Sequence, residues 1–73
     1  MIVTAQDVKQ ARAQLGLSVS QLRDALRLSP FTGSRTIRRW ERGEIPITGP
    51  AAVVIEAMLD GYTPQKYHPD ELE

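Results

Sequence analysis

The 73-residue chain carries nine basic and nine acidic residues, a formal net charge of zero, and no cysteine. It is the size of one small domain, which buries only about 60–65% of its unfolded surface and so has a thin stability margin. The lack of cysteine excludes a disulfide framework and a thiolate metal site and suits a reducing cytoplasm, no apolar run nears the ~20 residues that span a bilayer, and "MIVTAQDVK" has no basic segment leading into the apolar core of a secretory signal.

A first helix is expected from about Ala5 to Leu15. Thr4 supplies an N-cap, with Asp7 three residues on in a weaker form of the capping box. Val8, Ala11 and Leu15 share one apolar stripe, and Gly16 suits the left-handed position that ends a helix. The second helix has the clearest start in the chain. "LSVSQL" places Ser18 as N-cap and Gln21 at N3, with Leu17 and Leu22 as a hydrophobic staple. This helix is expected to reach about Leu26 or Arg27 and to bury Leu22, Ala25 and Leu26. Only a glycine and a cap separate the first two helices, so they must pack closely at an angle.

"RLSPFTG" then interrupts, and two starts fit the third helix. In one, Ser29 caps with Pro30 at N1, leaving Gly33 inside the helix. In the other, residues 28–33 form a loop and the helix begins near Gly33 or Ser34. An interior glycine costs about 1 kcal/mol relative to alanine, which favours the later start. Gly43 ends the helix. Within it Arg35 and Arg39 stack one turn apart, as do Arg38 and Arg42, while Ile37 and Trp40 share the opposite side. One face is cationic and the other is an apolar anchor. Trp40 is expected in the core rather than stacked on a base, because so small a core needs its large ring.

"EIPITGP" reads as an extended connector, with Pro46 holding Ile45 in β or polyproline geometry. Pro50 suits N1 of a fourth helix that runs to Gly61, with Ala51, Val54, Ile55, Met58 and Leu59 as its core stripe. Val53 and Ala57 lie off that stripe, with no strong polar face to balance them. "YTPQKYHPDELE" is polar, acidic and proline-broken, with room for one helical turn after Thr63 and Pro64 before it frays.

The zero net charge hides a dipole. Residues 23–42 hold six arginines against Asp24 and Glu41, whereas residues 56–73 hold five acids against Lys66. By itself an arginine cluster reads equally well as a solvated face with local ion pairs. Enzyme chemistry is not expected. The single histidine is His68, the acids Asp24, Glu41 and Glu56 fall on separate helices, and no glycine-rich phosphate loop accompanies them. No cofactor, metal ion or small-molecule ligand is expected either. A basic helix mounted on a small core does suit the major groove of B-DNA, where guanidinium matches guanine O6 and N7 and phosphates reward any cation.

"ARAQLGLSVSQLRDAL" followed by "SRTIRRWERG" resembles the helix-turn-helix domain of the phage-repressor family, the Cro and lambda-repressor type. The likeness rests on the Leu15-Gly16-Leu17-Ser18 junction, on Leu22, Ala25 and Leu26, and on "TIRRWERG". A proline-containing connector and an apolar fourth helix follow, and the likeness covers roughly residues 5–60. It implies an all-α fold, a compact four- to five-helix bundle with the helix-turn-helix domain over residues 1–61 and an acidic tail over 62–73. It also implies binding to double-stranded operator DNA as a homodimer. Carried over by the resemblance, the base-reading residues are Ser34, Arg35 and Arg39 with Arg38 beside them, and Arg42 faces phosphate. Ser18 and Ser20 meet the DNA backbone, although capping is an equal reading for both. Arg12 and Glu41 take the positions of a structural ion pair between the first and third helices.

A dimer needs a surface, and the surplus apolar residues Val53, Ala57, Tyr62 and Tyr67 fit one. The alternative is that they complete the core of a monomer. The chain departs from the family between Leu28 and Ile37, where about four extra residues around "PFTG" either add a helical turn or bulge toward the DNA backbone. With no ligand-sensing or self-cleaving module, regulation is expected through concentration, dimerisation or another protein. The expectation is thus a cytoplasmic transcriptional regulator of bacterial or phage origin, a repressor on an inverted-repeat operator, with no membrane partner. Small phage or anti-CRISPR-associated autorepressors are of this kind. An antitoxin or a protein-binding adaptor on the same fold is the alternative.

Overall fold

Residues 1–63, the part of the chain described by the computed structural model, contain four α-helices and no strand. They are α1 (Ala5–Leu15), α2 (Val19–Ala25), α3 (Gly33–Glu41) and α4 (Gly49–Leu59). The fold is all-α, a small helical bundle. The helical turn expected after Pro64 lies outside the described residues.

Reciprocal side-chain caps start α1 and α2. Thr4 Oγ1 accepts from the Asp7 N–H at 3.1 Å, and Asp7 Oδ2 accepts from the N–H groups of Thr4 and Val3 at 2.9 and 3.0 Å. Ser18 and Gln21 make the matching exchange at 3.1 and 2.9 Å. The Asp7 box is therefore complete, not the weaker form that its residue type suggests. The N–H of Thr4, then that of Val3, hold the Asp7 carboxyl below its ordinary pKa. A carboxyl lowered in this way stabilises the fold in full above its unfolded pKa, about 3.9, and the contribution is lost as pH falls through the folded value. The melting-temperature gap between wild type and Asp7→Ala should accordingly be widest at neutral pH and narrow below about pH 4. A gap that stayed constant from neutral to acid would remove the ionised carboxyl from the cap.

All four helices end alike, with an N–H beyond the cap reaching back five residues: Leu17 to Arg12 O, Leu28 to Arg23 O, Glu44 to Arg39 O and Tyr62 to Ala57 O. Such an ending needs one left-handed residue. Glycine supplies it after α1, α3 and α4, but after α2 it is Arg27, at φ 58°. α2 therefore stops at Ala25, short of the expected Leu26 or Arg27, because Arg27 turns the chain instead of extending the helix.

α3 packs on both α1 and α2, and α4 packs on α1. Val8, Leu22, Ile37 and Ile55 are fully buried at the centre, with Trp40, Ala11, Ala51 and Ala52 around them. On α4 the inward stripe takes Ala52 in place of the half-buried Val54, while Leu59, also half-buried, packs against the core as expected. Gly49 is the first residue of α4 and Pro50 the second, one place later than expected. The missing proline N–H costs nothing there, since a helix's first N–H groups have no intrahelical partner. Ile2 is buried, and its N–H donates to Glu56 Oε2 at 2.7 Å, which fastens the start of the chain to α4.

α3 begins at the later of the two expected starts, Gly33. Ser29 O accepts from the Gly33 N–H at 2.7 Å, so residues 29–33 close one helical turn, but Thr32 breaks its continuity with α3 at φ −124°, ψ −10°. A β-carbon on Gly33 would stand 2.6 Å from Arg23 Cγ and 2.8 Å from Leu28 Cβ. The glycine lets the start of α3 press directly on α2. Gly33→Ala gains up to about 1 kcal/mol in helix propensity, but overpacking of this kind costs about 1–3 kcal/mol. A net loss of about 1 kcal/mol is expected in urea unfolding. A stabilised variant would mean that α2 and α3 can separate freely.

Candidate nucleic-acid interface

The two sides of α3 differ completely. Ile37 and Trp40 are buried, Trp40 to 2% exposure, while Arg35, Arg38, Arg39 and the C-cap Arg42 are exposed. Glu41 is the one acid within α3, and it is drawn inward. Arg12 Nε and Nη2 donate to its two oxygens at 2.6 and 3.0 Å, and Arg12 Nη1 donates to Leu17 O at 3.2 Å. The two side chains are 23% and 10% exposed. The bidentate bond to Glu41 raises the pKa of the Arg12 guanidinium. It joins α1, the α1–α2 junction and α3 at one point, and it removes a negative charge from the cationic side.

A second acid lies just past the helix. Glu44 spans Arg39 Nε at 3.4 Å and Arg42 Nε at 2.9 Å, with all three side chains largely exposed. Arg35 and Arg38 meet no carboxylate among the described residues. At the other end of α3, Arg23 reaches over from α2. Its Nη1 donates to Ser34 Oγ at 3.3 Å, and its Nε and Nη2 meet Asp24 Oδ1 at 3.0 and 2.9 Å. Ser34 is therefore half-buried and engaged by α2, unlike the three arginines that follow it.

At the start of α2 the hydroxyl oxygen of Ser18 is occupied by its cap, and Ser20 is exposed. On the α4 side Val53 and Tyr62 are exposed and Ala57 is half-buried, while Tyr67 lies outside the described residues. Tyr62 and Val54 line a shallow groove with Ala25, Leu26 and Arg27. Sequence reasoning missed Arg23 and Glu44 as parts of this surface. Glu44 was within reach, because the turn set by Gly43 folds it back onto Arg39. Arg23 carried no signal, since its role depends on how closely α3 approaches α2.

Over 56 residues the chain is 43% identical to a Type II methyltransferase, M.SsoII, of Shigella sonnei. The match takes in 77% of this chain and 14% of the methyltransferase, so the chain spans a small part of that relative's length. No protein-family model matches the chain, and no solved structure matches it.

Proposed function

We propose that the protein is a sequence-specific regulator that binds double-stranded DNA, with α2 and α3 as its helix-turn-helix and α3 in the major groove. One observation carries this reading. Arg35, Arg38 and Arg39 stand exposed on a helix whose other side is anchored by Ile37 and Trp40 and whose one acid is taken up by Arg12. A cationic helix held this firmly can meet guanine edges with little ordering cost. Arg35, Arg38 and Arg39 make the base contacts, and Ser34 joins them by turning its hydroxyl from Arg23. Arg42 and Ser20 bind phosphate, as does Ser18 through its hydroxyl hydrogen while its oxygen caps α2. Two copies meet through Val53, Ala57, Tyr62 and Tyr67 and act as a cytoplasmic repressor on an inverted repeat. The likeness to a 56-residue stretch of a methyltransferase fits a binding module that accompanies transfer chemistry. So short a stretch has little room for a cleft that holds two substrates.

Selection of bound duplexes from a random pool tests the reading. An inverted repeat should be enriched, with half-sites about 34 Å apart, and affinity should fall steeply with added salt. A protein that enriched no sequence and bound no duplex would be an adaptor or antitoxin instead. Glu44 provides a second check. Exposed ion pairs contribute about 0–1 kcal/mol, so Glu44→Gln should leave stability nearly unchanged. By freeing Arg39 and Arg42 it should tighten duplex binding roughly two- to five-fold and steepen the salt dependence. Weaker binding would instead make Glu44 the group that positions those arginines.

A further inference from the structure

Phe31 is the most exposed aromatic side chain among the described residues, at 93%, and it sits in the turn directly before α3. That turn is tied down on both sides. Pro30 restricts its own φ, the Phe31 N–H donates to Ser29 Oγ at 3.1 Å, and Ser29 O accepts from the Gly33 N–H at 2.7 Å. Gly33 in turn is wedged against Arg23 and Leu28. The packing of α2 on α3 therefore holds an apolar ring out in water, at the same end of α3 as Ser34 and Arg35.

We propose that Phe31 contacts the 5-methyl group of a thymine in the major groove, at the end of each half-site met by the start of α3. The proposal rests on the DNA-binding reading above. A recognition helix meets base edges with its N-terminal residues, so the turn before α3 arrives with them. Thymine is the one standard base that shows an apolar group in that groove, and phenylalanine is among the side chains that match it. The arginines of α3 gain nothing from a methyl group. The ring does, because contact takes both apolar surfaces out of water. Its tethered turn leaves little freedom to lose on binding.

Deoxyuridine provides the test, since replacing thymine with it deletes the methyl group and leaves the hydrogen-bonding edge unchanged. Fluorescence anisotropy would follow wild type and Phe31→Ala on a selected duplex with each thymine replaced in turn. Phe31→Ala should melt like wild type, because its ring packs on nothing. At one thymine per half-site, uridine should weaken wild type about four-fold, the effect of one methyl group leaving an apolar contact. Phe31→Ala should bind both duplexes equally at that position. Equal methyl sensitivity in the two proteins, or none in wild type, overturns the proposal. Uniform weakening of Phe31→Ala on every duplex overturns it in favour of a sugar–phosphate contact, and unchanged binding overturns it in favour of a protein partner. These outcomes differ from a wild type that binds no duplex at any salt concentration, which would defeat the DNA-binding reading itself.

Discussion

Glu41→Ala is expected to cost roughly 2–3 kcal/mol in urea unfolding, more than any surface substitution on α3. Removing one partner of a fully buried ion pair costs about 3–5 kcal/mol, because the other charge is left without compensation. Glu41 is nearly buried and Arg12 about a quarter exposed, so water reaches the guanidinium and reduces that loss. Geometry acts in the opposite direction. Two parallel bonds at 2.6 and 3.0 Å are the arrangement in which arginine binds carboxylate best. Arg12→Ala should cost at least as much as Glu41→Ala, because it also deletes the third bond, from Nη1 to Leu17 O, and leaves the more deeply buried partner, Glu41, without compensation. A double-mutant cycle separates the pair from its surroundings, and coupling above about 1 kcal/mol is expected for residues in direct contact. Additive losses would show that the Arg12–Glu41 contact does nothing to hold α3 on α1. Glu41→Gln keeps the shape and loses the charge, so it should fall between wild type and Glu41→Ala.

Features with a local cause were legible in the sequence. The caps at Thr4 and Ser18 each depend on two side chains three residues apart, and helix ends at Gly16 and Gly43 depend on one residue's freedom at positive φ. The burial of Ile37 and Trp40 follows from helical spacing, and so does the exposure of the arginines. The Arg12–Glu41 contact joins residues 29 apart, and spacing says nothing about it; family resemblance alone suggested it. What stayed hidden depends on how elements approach. Gly33 was weighed as a poor helix residue, yet its place is set by Arg23 of α2 and Leu28 just after it, which press on it. Arg27 has no glycine-like signal, yet it takes the left-handed position that ends α2. The same closeness that requires Gly33 also brings Arg23 onto Ser34 and holds Phe31 outward. The α2–α3 connector was thus the least legible part of the chain, and it shapes one end of the proposed DNA-binding side.

On the proposed DNA-binding reading, Arg35→Ala and Arg39→Ala should each lose discrimination at one base pair, by about 1–3 kcal/mol for a bidentate guanine contact. Against a mismatched duplex the affinity should change far less, because such a duplex already lacks that contact. Arg42→Ala should instead weaken matched and mismatched duplexes alike and reduce the salt slope by about one. The two reading arginines are not equivalent. Arg39 shares Glu44 with Arg42, whereas Arg35 meets no carboxylate among the described residues. In wild type Glu44 competes with the DNA for the Arg39 guanidinium, and Glu44→Gln removes that competition. Arg39→Ala should consequently cost more in the Glu44→Gln background than in wild type, while Arg35→Ala should cost the same in both. Binding titrations of the four combinations against one selected duplex and its single-base variants would measure this. If both arginine variants kept full discrimination, α3 would not be the helix that reads sequence. If Arg35 rather than Arg39 responded to the loss of Glu44, the carboxylate would act on the start of α3, and the ion pairs at its C-terminal end would not persist in the complex.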